Sequence, residues 1–586
     1  MGACSSKMGA CSSGYFSSVT SGNPCPVHAC KFPMQVVSVA DFLQSSGPPE
    51  PYSTWHTRGL LHKVHPDMFV IFVSHQWLSY THPDPEGTQL AVLQHVLGGL
   101  CEGSFVVEDN ILTHIYGLPE HNIDALRTKI ANGFLFVDWM CIPQITSRKQ
   151  GLNEINSDSI TADAVESIPH YVEVSNLFVA LVPELTHADT RELCNYKSWL
   201  TRGWCRGEMG CHLLSNKQNT SVIVIHSTMK AECMSHVDWQ FNSIADCGFS
   251  VERDRAAVVQ LEKTAMAAKV KHLEVVGPLH MYRYYMATFM EEPDSDVSVF
   301  LERFRFASLS MAVTETNPMN GVMCATLSGS ARLLRILVEN QAEVDHHIEG
   351  LGAVGHFDSS PMLMLAVSLN KPASLITTLL ELRADVNAKD ALGASVTTYL
   401  RSKEQADALL QAQPDLDCPG MPMGMTPFTI ACTTAPPEAI AALLDARCDP
   451  NPPAVGVGWS PLHAACFWSR GSRHAVEKVR LLLDHKADVN AKSGPWDVQS
   501  GVGVASQLRA ALFGLESCDA RTRFFESLSG ITPLGMAALM GDHDMAVFLW
   551  ANGAGLLAND YGYMPEDLAR MNSHWGVFKM LSVCSA

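Results

Sequence analysis

Glu208 is the residue in this chain best placed to do chemistry. It lies in residues 196–214, YKSWLTRGWCRGEMGCHLL, which set three tyrosine or tryptophan rings and two cysteines around it. Cys205, Met209 and Leu213 fall at i, i+4 and i+8, the buried stripe of a helix. Trp204 and Glu208, also four apart, share the neighbouring face. An indole beside a carboxylate at the edge of a core withholds water from it. A desolvated carboxylate is a general acid, a general base or an electrostatic stabiliser. The plainer alternative pairs Glu208 with Arg202 or Arg206, so that it only holds the helix.

Positioning such a group takes a helix and a sheet. Thr201 is expected to cap a helix starting near Arg202, its hydroxyl accepting an early backbone N–H. Residues 70–77, VIFVSHQW, and 134–144, FLFVDWMCIPQ, are apolar runs that end in polar groups. Both read as buried parallel strands whose C-terminal ends release Ser74, His75 and Asp138. Residues 176–183 (NLFVALVP) and 221–226 (SVIVIH) add two more strands. In open α/β sheets ligands bind outside the carboxyl ends of the strands. Three strand ends and the Glu208 helix are therefore expected to converge on one cleft. Residues 81–87, THPDPEG, read as a turn after the first of these strands.

The order Ser-His-x-Trp, Val-Asp-x-x-Cys-Ile-x-Gln, strand, Arg-Gly-Trp-Cys-x-x-Glu resembles the Toll/interleukin-receptor (TIR) superfamily. It is closer still to the heterokaryon-incompatibility-type domains. The resemblance covers roughly residues 65–230. Trp204, Cys205 and Glu208 match the Trp-Cys-x-x-Glu element that carries the glutamate of enzymatic TIR domains, which cleave the nicotinamide–ribose bond of NAD. The chain departs from the pattern in the long segment 78–133 and at His75-Gln76-Trp77. The resemblance implies Glu208 as the catalytic group, with Trp204 and Trp77 stacking on nicotinamide or adenine. Ser74, His75 and Asp138 would line the cleft.

The length of 586 residues implies two or more domains. A net charge of −19 argues against a nucleic-acid partner. No apolar run reaches the ~20 residues that span a bilayer. The 18 cysteines are scattered, which fits reduced thiols in the cytoplasm. The N-terminus, MGACSSK, fits N-myristoylation at Gly2 with Cys4 placed for palmitoylation, and MGACSS occurs again at residues 8–13. Two acyl chains hold a membrane stably where one does not. Residues 1–51 are thus expected to form a disordered, lipidated tether. Cys25, His28 and Cys30 supply three possible metal ligands without a fourth, so no metal is expected.

Ser-Pro and Thr-Pro pairs punctuate the second half. Pro361, Pro427 and Pro461 are spaced 66 and 34 residues apart, and Pro533 and Pro565 are 32 apart. Multiples of ~33 are the ankyrin period. Residues 460–465 (SPLHAA), followed by 481–483 (LLL) and 486–491 (KADVNA), resemble the ankyrin repeat closely, and 383–388 (RADVNA) repeats the hairpin. His463 reads as a structural turn residue. The expected architecture is an α/β N-terminal domain over 52–230, with a TIR-like parallel sheet and flanking helices. A helical connector over 231–315 joins it to an all-α ankyrin-repeat solenoid over 320–583. The solenoid has about seven units, with an insertion near 494–529.

Two functions compete. One is a membrane-tethered scaffold that binds a protein partner on the ankyrin concave face and signals through the TIR-like domain. The other is an NAD glycohydrolase or cyclase using Glu208, regulated by the repeats and dependent on self-association of the TIR-like domain. No resident cofactor is expected; NAD enters only as a substrate.

Overall fold

The computed structural model describes residues 30–585, except 112, 114–120, 144–159, 218–219, 235–246, 250–251, 253, 291–295, 317, 352–353, 355, 357–358, 392, 418–423, 455, 473, 495–508, 511 and 513. Gly2 and Cys4 lie outside the described residues.

Ten short strands are described: β1 (Gln35–Ser38), β2 (Leu61–Lys63), β3 (Val70–His75), β4 (Glu108–Asp109), β5 (Phe134–Phe136), β6 (Leu177–Leu181), β7 (Leu185–Thr186), β8 (Leu193–Cys194), β9 (Val222–Ser227) and β10 (Lys230–Cys233). Eight of them form one sheet in the order β2-β1-β5-β3-β6-β9-β10-β4, and β7 pairs with β8 apart from it. The centre, β5-β3-β6-β9, is parallel throughout. Its strands read as unbroken apolar runs because helices cover both faces. Phe72 sits in register between Phe136 and Phe178, with ring centroids 4.9 and 5.3 Å away. Tyr171 and His212 close over that row from the helices Ile168–Val174 and Gly203–Leu214.

The sheet is mixed rather than wholly parallel. β1 runs antiparallel to both β2 and β5, and β10 runs antiparallel to β9. The expected boundary at residue 52 is also corrected. Val36 and Val37 of β1 are fully buried, and the Val39–Gln44 helix follows with Phe42 in the core. Residues from 35 onward therefore belong to the sheet unit and not to a tether. Trp139 seals the junction by donating its indole N–H to Pro49 O at 3.0 Å.

The 23-residue helix Asp254–Val276 links the two halves. Its first half, with Leu261 and Ala265, packs into the core of the sheet unit. Its second half, with Val270 and Leu273, packs into the core of the helical half. The connector continues through Leu279–Phe289, Val297–Arg303 and Leu309–Thr314. Arg283 is buried at its centre, donating to Phe304 O, Met319 O and Glu315 and lying 3.8 Å over the Phe306 ring.

Seven helical pairs follow among the described residues: Gly321–Leu327 with Ala331–Glu339, Met362–Ser368 with Ala373–Glu381, Val396–Tyr399 with Lys403–Gln411, Pro427–Thr434 with Pro437–Asp445, Pro461–Phe467 with Ala475–Asp484, Pro533–Met540 with His543–Ala551, and Pro565–Met571 with Trp575–Ser585. Pro at the first helical position, with Thr426 or Thr532 at the cap, starts the fourth and sixth pairs. The third pair opens with a 3-10 turn, where Val396, Thr397 and Thr398 bring β-branched side chains that disfavour an α-helix. Between units, side-chain carbonyls tie one hairpin to the next. Asn387 Oδ1 accepts Asp415 N at 2.8 Å, Asn451 Oδ1 accepts Asp488 N at 2.8 Å, and Asn490 Oδ1 accepts Gly555 N at 2.7 Å.

Candidate functional site

Strand parity decides which side chains meet. Phe72 and Ser74 face the same side of β3, toward the Gly203–Leu214 helix, while His75 at the strand end turns to the other side. Ser74 is buried, and its Oγ accepts the Trp199 indole N–H at 3.1 Å. Ser74 also faces Glu208 on the helix and favours its ionised carboxylate. Burial pushes the Glu208 carboxyl up to about 7, and Asp138 adds to the rise; Ser74 and His75 pull against it. Glu208 thus answers to Ser74, Asp138 and His75. Arg206 is turned instead toward Cys247, Glu262 and Tyr196.

His75 bridges two elements. Its Nδ1 lies 3.1 Å from Gln89 Oε1, in the first turn of the Thr88–Glu102 helix, and its Nε2 lies 3.0 Å from Asp138 Oδ1. Gln89 Nε2 donates to Gln76 O at 2.8 Å, which fixes its amide with the oxygen toward His75. Both imidazole nitrogens therefore face acceptors, an arrangement that favours the doubly protonated ring. Burial works against that charge, but Asp138, Gln89 and Glu208 together overcome it and hold the pKa of His75 above its ordinary value. Asp138 is held low in return, since the His75 charge and the donors Trp77 and Trp139 overcome its burial. Trp77 Nε1 donates to Asp138 Oδ2 at 2.9 Å and the Trp139 backbone N–H to Oδ1 at 2.6 Å. The His75 side chain is only 7% exposed, whereas Asp138 keeps 35% of its side chain in solvent. Asp138 marks the open side of the group.

Five of the six site residues read from the sequence, Ser74, His75, Trp77, Asp138 and Glu208, are therefore connected. Trp204 is engaged elsewhere: its indole N–H donates to Asp254 at 3.0 Å. It ties the Glu208 helix to the Asp254–Val276 helix. Thr201 does not cap the Glu208 helix either. Its hydroxyl donates back to Lys197 O and Ser198 O and closes the Tyr196–Leu200 helix. The Glu208 helix starts at Gly203, pinned by Gly203 N to Gly248 O and by Gly248 N to Thr201 O. A Cβ on Gly203 would meet Phe249, and one on Gly207 would lie 2.5 Å from Val258 Cγ1. The two glycines let the linking helix and residue 249 close against the motif. Asp84 in the 81–87 turn is buried and accepts Thr88 N and Leu90 N, both at 2.9 Å, so it caps a helix.

Sequence reasoning missed Gln89, Gln76, Trp199 and Trp139. Trp199 lay within the aromatic cluster already singled out, and Trp139 stands beside Asp138. The two glutamines gave no signal, because their roles depend on contacts between separate elements.

A second cluster, Asp109, His121 and Cys233, places its ligand atoms within 4.8 Å of one another. His121 Nδ1 lies 2.6 Å from Asp109 Oδ1. Two tetrahedral ligands of one zinc ion sit roughly 3.4 Å apart, so that contact is a hydrogen bond between Asp109 and His121. Burial, with Asp109 and Glu232 beside it, pushes the Cys233 thiol up to about 12. The described cysteines are all free thiols.

The family model described as ankyrin repeats, in three copies, matches residues 395–493. Among solved structures, the human ASB11 ankyrin repeat domain is similar at 19% identity. The match covers 43% of this chain and 93% of that one, with a TM-score of 0.29. No curated protein matches the chain. The chain carries ankyrin repeats in its C-terminal half, and its N-terminal region is a mixed α/β sheet. Among the described residues no helix is long and apolar enough to cross a membrane.

Proposed function

We propose that this chain is an ankyrin-repeat protein-interaction scaffold, tethered to membranes through Gly2 and Cys4, whose α/β unit is a TIR-like signalling module. The observation that carries it is the stack of helical pairs tied hairpin to hairpin by Asn387, Asn451 and Asn490. Such a stack presents one long continuous face, the surface on which ankyrin arrays meet protein partners. The tether is tested in cells with an alkyne-myristate label. Gly2→Ala should abolish labelling and shift the protein from the membrane fraction, and labelling that persists in the variant rejects the acylation.

The Ser74–His75–Asp138–Glu208 group favours a second reading, an NAD glycohydrolase or cyclase that acts on self-association. Here Glu208 in its ionised form would face the ribosyl carbon as positive charge develops there, as carboxylates do in glycoside cleavage. Nicotinamide leaves with the bonding electron pair. Water, or a nucleophile within the same molecule, supplies the new bond and loses a proton. The parallel strands support this reading, because Ser74 and His75 stand at the carboxyl end of β3, the end at which such sheets bind ligands. Nicotinamide release from NAD by the full-length protein, at concentrations that permit self-association, separates the two readings. Release that disappears in Glu208→Ala establishes the enzyme. No release from the folded wild-type protein leaves the scaffold.

A further inference from the structure

The sheet unit docks on one edge of the repeats. Glu184 Oε2 accepts Gly576 N at 3.1 Å, Lys230 Nζ reaches Asn572 O at 3.3 Å, and Lys197 Nζ pairs with Asp542 at 3.2 Å and Asp544 at 3.7 Å. Asn572, Gly576, Asp542 and Asp544 all sit at the turn between the two helices of the sixth or seventh pair, or in the first turn of the second helix. The hairpins carrying Asn387, Asn451 and Asn490 lie at the opposite ends of their helices. The docking edge and the hairpin face are therefore separate surfaces of the same repeats.

Lys197 is the contact with consequences for the site. Its partner Asp542 is buried, with 1% of its side chain exposed, and also caps its own helix through Met545 N at 3.1 Å. Lys197 belongs to the five-residue helix Tyr196–Leu200, whose next two residues reach the candidate site. Ser198 Oγ donates to Gln76 Oε1 at 2.7 Å, and the Trp199 indole donates to Ser74 Oγ at 3.1 Å. Gln76 O orients Gln89 against His75, and Ser74 faces Glu208, whose ionised form it favours. One short helix thus holds the repeats with one side chain and both limbs of the site with the following two.

We propose that Lys197 is a positioning residue through which the sixth repeat fixes the Tyr196–Leu200 helix and, through it, Ser74 and Glu208. A helix of five residues does not hold itself in water, so its placement depends on these anchors. The coupling concerns the site described above. It bears on turnover only if the NAD-cleaving reading holds, but its physical test does not require turnover.

Hydrogen exchange across residues 196–214 of the full-length protein is that test. Lys197→Glu places a carboxylate against Asp542 and Asp544, and should raise exchange in 196–214 at least ten-fold while the parallel strands keep wild-type protection. Lys197→Arg should restore wild-type protection. Glu184→Gln, which weakens the same docking edge away from the short helix, should leave 196–214 unchanged. Wild-type exchange in Lys197→Glu, or a rise spread evenly over the whole sheet unit, overturns the proposal. Absence of NAD cleavage in every variant would reject the enzymatic reading while leaving the exchange result to decide the coupling.

Discussion

At the scale of single residues, Glu208 is kept where water would serve it better. A carboxyl whose folded pKa lies near 7, against about 4.5 when unfolded, binds more protons in the native state between those values. Its contribution to stability is complete below pH 4.5 and is lost as pH rises through 7. Glu208→Gln keeps an acceptor for Ser74 and removes the buried charge. The variant should match wild type near pH 4.5 and exceed it by about 1–3 kcal/mol at pH 8, read from urea midpoints. An equal difference at both values would show that the carboxyl is not held high. A residue that costs stability at neutral pH is typical of a functional site. His75 and Asp138 were legible in the sequence because apolar strands ending in polar residues announce where a sheet opens, and Glu208 because helical spacing set it beside a buried stripe. The direction of Trp204 was not, since helical spacing places it on the same face as Glu208 but cannot say that Asp254 lies nearer.

At the scale of elements, the long apolar strands were legible and the sheet edges were not. β3, β6 and β9 are five or six residues long, and each opens with at least four consecutive apolar residues. β1, β2, β4 and β10 have two to four residues each, and three of them alternate or lie half exposed. Such edge strands acquire their identity from neighbours. The helical pairs were legible wherever Thr-Pro or Ser-Pro opened a helix. Glycines in helices show the same dependence on context, and a pair of substitutions exposes it. Gly98 lies inside the Thr88–Glu102 helix with open space, free of other atoms to 4 Å, where a side-chain methyl would stand, so Gly98→Ala should stabilise by ~0.5–1 kcal/mol. Gly207 has the same local helical setting, but its methyl would press on the stiff Val258 side chain at 2.5 Å. Gly207→Ala should therefore destabilise by about 1–3 kcal/mol despite the better helix propensity. Thermal melts of the two variants beside wild type give opposite signs; a gain in both would mean that the linking helix packs more loosely against the motif.

At the scale of the whole molecule, two hydrophobic cores share one helix. Leu261 and Ala265 belong to the sheet core and Val270 and Leu273 to the repeat core. Charged contacts along the docking edge add a second connection, with Arg523 paired to Glu108 at 3.0 Å beside Lys197 and Asp542. Largely buried ion pairs lose much of their attraction to desolvation, so each contributes little net. The continuous helix must therefore carry most of the mechanical coupling. Ala268 is buried between the two sets of contacts. Proline there removes a backbone hydrogen bond and kinks the helix at a cost of ~3 kcal/mol, and it leaves both cores otherwise intact. The wild-type protein should unfold in one calorimetric transition, and Ala268→Pro should divide it into two, with the repeats and the sheet unit melting separately. A single transition retained by the variant would assign the coupling to the docking edge instead. In that case Lys197 and Arg523 would carry more than their exposure suggests, and a partner that bends the repeats would reach the Glu208 group through the turns and not through the linking helix.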